Sequence, residues 1–175
     1  GISCAPQARA VRLAAMMAKD ETYTAKEIVA CVQQLVDRTT AYFIVDDLNN
    51  LQRGGRLSAG AALVGSMLKI KPILTFEDKK IVAMEKIRTQ HKAMKRIEQI
   101  FEEDTQTIDG DGYELVIIHA NAPEAGEAWR AQIQEKYPKL RTSLAYFGPV
   151  IGTHLGEGAL GCSWDIVVEK NLEMI

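Results

Sequence analysis

Apolar side chains at Val11, Leu13, Ala14, Ala15, Met16, Met17 and Ala18, with Pro6 suited to a first turn, predict a well-buried helix over about 5–20. Thr24-Ala25-Lys26-Glu27 has the form of a capping box, in which the threonine hydroxyl satisfies the Glu27 amide and the glutamate reaches back to the Thr24 amide. Tyr23 and Ile28 are placed to staple that end, and Ile28, Val29, Val32, Leu35 and Val36 carry the helix to a stop near Thr39-Thr40. The pattern then changes. Tyr42, Phe43, Ile44 and Val45 form a run too short for a helix and rich in aromatic and β-branched residues, which predicts a buried strand.

Asp46 or Asp47 is placed to cap a turn of helix carrying Leu48 and Leu51, ending at Gly54-Gly55, and Ser58 to cap another through Ala62, Leu63 and Met67. Pro72 leads into an extended run to Phe76. A polar break separates it from the alternation of Ile81, Ala83, Glu85 and Ile87, and the two runs are expected to pair as a hairpin. Thr89 opens a helix that buries Ala93, Met94, Ile97, Ile100 and Phe101. A strand over 115–119, a helix over about 123–137 with Ala125, Trp129 and Ile133 inward, and a strand near 144–147 complete a β-α-β unit, and 159–168 is a closing strand. The expected fold class is α/β (α+β), a mixed and largely antiparallel sheet flanked by helices. A boundary near Thr39 divides a helical pair, 1–38, from an α/β unit, 39–175.

Composition narrows the function classes. The 175 residues are 47% hydrophobic and 25% charged, enough to bury one sizeable core, and predict a soluble globular protein. With 21 basic and 23 acidic residues the net charge is -2, which disfavours a nucleic-acid partner. The apolar runs fall far below the roughly 20 residues that span a bilayer. Cys4, Cys31 and Cys162 are odd in number and lack metal-ligand spacing, which points to a reducing, cytoplasmic setting without a structural zinc. The first residues do not form a positively charged, apolar leader, and the start at Gly1 rather than methionine suggests a piece of a longer chain.

Candidate chemistry is sparse. Gly156-Glu157-Gly158-Ala159-Leu160-Gly161 satisfies GxGxxG, but the stretch from Cys162 to Val168 is β-prone rather than helical, so a turn or close backbone approach is favoured over a pyrophosphate cradle. His154 precedes that run, after the apolar Val150-Ile151 pair. It either projects from a strand end into a cleft, where an imidazole can hydrogen-bond a carboxylate, or packs near a turn. Arg53-Gly54-Gly55-Arg56 brings together two guanidiniums, either as forks for a carboxylate or phosphate or as basic residues at a helix end. Asp46-Asp47, just upstream, is placed to orient one of these arginines or to cap a helix. His119 is expected to donate to nearby backbone and His91 to be solvated. No histidine pair has helical zinc spacing, and neither Ser58 nor Ser163 sits in a nucleophile elbow.

Five ordered segments go further. They are Thr40-Ala41-Tyr42-Phe43-Ile44-Val45-Asp46-Asp47-Leu48, then Leu51-Gln52-Arg53-Gly54-Gly55-Arg56-Leu57-Ser58, then Leu68-Lys69-Ile70-Lys71-Pro72-Ile73-Leu74, then Lys86-Ile87-Arg88-Thr89, and finally Gly152-Thr153-His154-Leu155-Gly156 with the rest of the glycine run to Gly161. In that order they resemble the DegV family of fatty-acid-binding proteins, over essentially the whole chain from about residue 3. The resemblance implies two α/β domains enclosing a long-chain fatty acid, with this chain similar to the C-terminal one and 1–38 a remnant of, or bridge to, an N-terminal domain. It also implies a non-catalytic bacterial carrier, without cofactor, that presents the bound carboxylate to a separate ATP-dependent fatty acid kinase subunit.

By the same resemblance the head-group residues are His154, Arg53, Arg56 and Gly156, with Arg53 and Arg56 also engaging the kinase. Candidate tail-facing residues are Phe43, Leu63, Met67 and Ile73, each equally readable as plain core. The family's head-group serine and threonine belong to an N-terminal region not found in this sequence, so this chain is expected to supply part of the site. Glu157 stands where the family often has proline, and Ser3-Cys4-Ala5-Pro6 departs from its glycine-containing serine motif. The alternatives are a nucleotide-using enzyme built on 156–161 and a regulatory interaction module with a vestigial lipid pocket.

Overall fold

The computed structural model describes residues 2–46, 48–57, 70–77 and 80–167. Helices α1 (Cys4–Lys19) and α2 (Ala25–Arg38) lead into β1 (Thr40–Ile44) and the short α3 (Asn49–Arg53). The hairpin β2 (Lys71–Glu77) and β3 (Lys80–Ile87) comes next, then α4 (Gln90–Thr105), β4 (Tyr113–His119), α5 (Pro123–Lys136), β5 (Arg141–Tyr146), α6 (Gly148–Leu155) and β6 (Leu160–Ile166). One six-stranded sheet runs in the order β3-β2-β1-β6-β4-β5. Every neighbouring pair is antiparallel except β4 with β5. The mixed, largely antiparallel α/β architecture read from the sequence is the one observed.

The capping box at Thr24 is complete: the Glu27 carboxylate accepts from the Thr24 amide at 2.7 Å, and the Glu27 amide donates to the Thr24 hydroxyl at 3.3 Å. The helical hairpin has an apolar cluster of its own, with Ala10, Leu13, Met17 and Leu35 at its centre and Tyr23 and Ile28 against it. Val11 and Val29, expected inside, are exposed, because the face of each helix turned to its partner excludes them.

Alternation along the strands makes two apolar layers. Ile44, Ile73, Leu115, Ile117, Leu160, Cys162 and Trp164 point to one face and meet Ala93, Ile97, Ile100 and Phe101 of α4 with Trp129 and Ile133 of α5. Buried indoles need an acceptor. The Trp129 indole donates to Glu98 at 3.0 Å and that of Trp164 to Asp104 at 2.7 Å, both carboxylates lying on α4. Phe43, Val45 and Leu74 point the other way and pack with Leu48, Leu51, Ala120, Leu155 and Ala159.

Several local expectations change. Ile73 pairs with Glu85 but Leu74 with Ala83, leaving Met84 as the extra residue of a bulge. The alternation of β3 therefore switches face midway. Ile81 and Ala83 pack in the second layer, whereas Ile87 packs in the first and Glu85 meets Arg96 of α4 at 2.8 Å. Ala125 is exposed, and Gly126 takes the inward place because Leu144 and His119 leave no room there for a side chain. Strand β5 starts at Arg141, ahead of the expected 144, with Thr142 tied to Gln134 and Arg130 of α5. The Val150-Ile151 pair lies in helix α6, not at a strand end. The helix expected after Ser58 lies outside the described residues.

Helix α1 meets the sheet through a buried ion cluster. Arg9 Nε stands 2.5 Å from Glu114 Oε1 on β4, and its Nη1 3.9 Å from Asp165 Oδ2 on β6. Arg9 Nη1 and Asp165 Oδ2 are buried with no hydrogen-bond partner among the described residues, a costly arrangement for charged atoms. Burial pushes the Asp165 carboxyl above its ordinary range. The Ile166 amide and then Arg9 and Arg38 pull it back, while Glu114 adds to the rise. A carboxyl raised by folding stabilises most when protonated, so this contribution is complete below the ordinary value of 3.8 and is lost as pH climbs through the raised one. Asp165→Asn is therefore expected to melt higher than the parent at pH 7, with the difference shrinking on acidification. A lower melting temperature at pH 7 would show the charge to be net favourable.

Candidate functional site: the seam between α3 and α6

Helix α3 is a single turn, closed by the Gly54 amide donating to the Asn50 carbonyl at 2.9 Å, and it ends because Gly55 comes next with φ +65°. The reversal is tightened by the Arg56 amide donating to the Leu51 carbonyl at 3.0 Å and by Arg56 Nη1 donating to the Gly54 carbonyl at 3.0 Å. Leu57 then makes an isolated parallel bridge to Ile81 on the β3 edge. Arg53 and Arg56 are both exposed, one on each side of the glycine pair. Leu51, with no exposure, anchors the turn in the second apolar layer.

Helix α6 leaves β5 directly and is fixed by Leu155 and Ile151 in the same layer. His154, in its last turn, is half-buried against α3. A Cβ built on Gly54 would lie 2.5 Å from His154 Nδ1 and 3.2 Å from its Cε1, so the imidazole occupies the space that a side chain there would fill. The seat is reciprocal. A Cβ on Gly156, just past α6, would lie 2.6 Å from Asn50 Nδ2 of α3. Each element thus receives a polar side chain from the other at a glycine.

The remaining glycines of the 156–161 run also serve close approach. Gly158 faces Asp46, whose Oδ2 would be 3.1 Å from an added Cβ, and Gly161 faces the Phe147 ring at 2.7 Å. The run connects a helix to a strand, the reverse of the strand-to-helix order that aims backbone amides at a phosphate. Asp46 is not seen to pair with either arginine or to cap α3, whose N-cap is Leu48; it accepts from Lys71 Nζ at 2.6 Å, and Asp47 lies outside the described residues. Glu157 accepts from Asn121 Nδ2 at 2.7 Å. His119 Nδ1 accepts from the Ala122 amide at 3.3 Å, so the ring is an acceptor where a donor was expected. His91 is exposed on α4.

Of the sequence candidates, His154, Arg53, Arg56 and Gly156 come together along this seam. Phe43 lies in the adjoining apolar layer, but Ile73 does not: the strand alternation that pairs Phe43 with Leu74 turns Ile73 to the α4 and α5 face. Phe43 and Ile73 therefore cannot line one slot. Leu63 and Met67 lie outside the described residues. A cleft of about 190 Å³ opens on another side of α6, against Ala120, Tyr146, Gly148, Gly152, Gly156 and Glu157. It shares Gly156 with the seam but not His154 or the arginines, and it is smaller than the roughly 300–1,000 Å³ usual for small-molecule sites. Among the described residues no His, Cys, Asp and Glu cluster could hold a metal ion, and no helix is long and apolar enough to cross a membrane.

Sequence reading passed over Asn50 and the role of Gly54 as a seat. The spacing of Asn50 and Gly54, four apart on one helical face, was the available signal.

An open sheet that, among the described residues, has six strands, one face closed by two helices and the other carrying a polar seam beside an apolar layer defines a mixed α/β domain. The sequence profile described as "Uncharacterised protein, DegV family" matches residues 1–166, and the chain belongs to the DegV family. A DegV domain-containing protein of Listeria innocua is 51% identical over 166 residues, 94% of this chain and 57% of its own. The crystal structure of DegV from Bacillus subtilis, described as a fatty acid binding protein, superposes with a TM-score of 0.83 at 43% identity, covering 95% of this chain and 58% of that one. A fatty acid binding DegV family protein from Streptococcus agalactiae gives 0.78 at 38% identity, over 91% and 56% of the two chains. The chain spans a little over half the length of these relatives.

Gly54 has φ -74° and ψ -5°, a conformation open to alanine, so Gly54→Ala tests the imidazole seat without backbone strain. In the parent the substitution is expected to destabilise by displacing His154. In a His154→Ala background it is expected to be neutral or to stabilise by about 0.4–1 kcal/mol, the usual gain at a compatible site. Equal effects in the two backgrounds, measured by denaturant unfolding, would refute the packing described.

Proposed function

We propose that this chain forms part of a long-chain fatty-acid carrier that holds the lipid's carboxylate at the α3–α6 seam and presents it to a separate ATP-dependent fatty acid kinase subunit. The observation that carries this reading is the seating of His154 on Gly54, between Arg53 and Arg56, at the border of an apolar layer. An imidazole and two guanidiniums are donors suited to a carboxylate. Support also comes from the relatives described as fatty acid binding proteins.

The work divides by chemistry. Each buried methylene contributes about 0.8 kcal/mol, whereas a buried, unpaired carboxylate costs several. The tail therefore supplies affinity and the seam makes the head tolerable. Phe43 and its register partner Leu74 are the tail-facing candidates on the same side as His154, with Leu63 and Met67 retained as candidates from the sequence. Gly156 holds the loop close to α3, and Arg53 and Arg56, both exposed, are available to the kinase as well as to the head group. The carrier has no catalytic group of its own and works in the cytoplasm. The helices of 1–38 act as the bridge to an N-terminal domain that completes the site.

Lipid extraction and native mass spectrometry of the protein in its full native length are expected to find a long-chain fatty acid; protein that is consistently empty and takes up no added palmitate would reject the carrier. His154→Ala is expected to weaken palmitate binding by about 10- to 100-fold, the worth of one hydrogen bond to a charged group, and to lower acyl-phosphate formation by the kinase with the fold intact. Unchanged acyl-phosphate output would remove His154 from the site.

A further inference from the structure

Two glycines and two polar side chains form a reciprocal joint between α3 and α6. His154 fills the space above Gly54, and Asn50 fills the space beside Gly156. The two halves share one point of contact: an added Gly54 Cβ would meet both His154 Nδ1, at 2.5 Å, and the Asn50 carbonyl oxygen, at 3.1 Å. That same carbonyl accepts the Gly54 amide and closes the single turn of α3. Asn50 thus touches Gly156 with its side chain and fixes Gly54 with its backbone.

A one-turn helix has little stiffness of its own, since helical order is cooperative and short segments are marginal in water. The position of α3 is therefore set by what it packs on. Leu51 supplies an apolar anchor in the second layer. An apolar anchor is poor at fixing rotation about the helix, because hydrophobic burial is non-directional. The carboxamide held against Gly156 supplies the missing constraint, on the face of α3 that also carries Gly54.

We propose that Asn50 is the positioning residue of the seam: its carboxamide sets the rotation of α3 on α6 and so determines where the His154 imidazole stands relative to Arg53 and Arg56. The consequence for ligand rests on the carrier reading; the joint itself does not. Truncating Asn50 leaves α3 held by the non-directional apolar packing of Leu48 and Leu51, and the imidazole loses its defined seat although no atom of His154 changes.

The test uses two variants with NMR of the His154 ring, on the protein without lipid and then with palmitate. Asn50→Ala is expected to shift and broaden the His154 ring resonances and to weaken palmitate binding at least about five-fold. Gln52→Ala, on the exposed side of α3, serves as the control and is expected to do neither. Asn50→Asp keeps the shape of the side chain, so the ring should stay in place. Ring resonances unmoved in Asn50→Ala, or displaced as far in Asn50→Asp as in Asn50→Ala, would overturn the proposal. A ring that moves in a protein that never binds palmitate would keep the joint and reject the carrier.

Discussion

Helices α3 and α6 approach so closely that neither Gly54 nor Gly156 has room for a methyl group, and the arrangement of polar groups on this side of the sheet depends on that contact. Because α6 runs straight out of β5 and back into β6, its position is fixed by the sheet. Because α3 sits on α6 through glycine, the segment carrying Arg53 and Arg56 is brought to the imidazole rather than left as a solvated turn. A side chain at Gly54 would meet the His154 ring and one at Gly156 the Asn50 carboxamide, so either would displace the polar group seated there or part the two elements.

The two faces of the sheet are built for different ends. On one, α4 and α5 close the core with Ile97, Phe101, Trp129 and Ile133, and even the indole N–H groups are satisfied by carboxylates of α4. Such a face is spent on packing. On the other, Phe43 and Leu74 are covered by short segments carrying Leu51, Leu155 and Ala159, with Phe76 and Phe147 beside them. Rigid packing on the first side is what allows a site of short elements on the second, since functional groups need a supporting frame that does not itself shift.

Features with local causes were legible in the sequence. The capping box at Thr24, the β2–β3 hairpin, the parallel β4-α5-β5 unit and the amphipathic α4 all arise from neighbours in the chain, and all are observed. Features set by distant contact were not. Met84 bulges where Ile73 and Leu74 meet β3, so a clean alternation of Ile81, Ala83, Glu85 and Ile87 hid a change of face. Gly126 displaces Ala125 from the interior because Leu144 comes within 2.9 Å of its missing Cβ. The candidate site was half legible: the ordered motifs picked out His154, Arg53 and Arg56, but nothing in their spacing says that Gly54 is a socket for a ring far along the chain. Ile73 failed for a simple reason, since one step along a strand reverses the face.

The electrostatics of the seam fit a site that orients its ligand more than one that grips it. Asp46, which faces Gly158 of the glycine run, is ion-paired to Lys71, which leaves little of its field to oppose an incoming anion. Glu157 is held by the neutral amide of Asn121, just past β4, rather than by either arginine of the seam. Arg53 and Arg56 are exposed, and an exposed ion pair contributes no more than about 1 kcal/mol in water. Two such arginines cannot retain a lipid by charge alone. On the carrier reading, retention must come from the apolar layer, while the seam decides which end of the molecule emerges and in what orientation. On the same reading, a weakly held, well-placed head group suits the proposed kinase, because a carboxylate deeply paired inside the carrier would have to be stripped of its partners before it could attack a phosphoryl group.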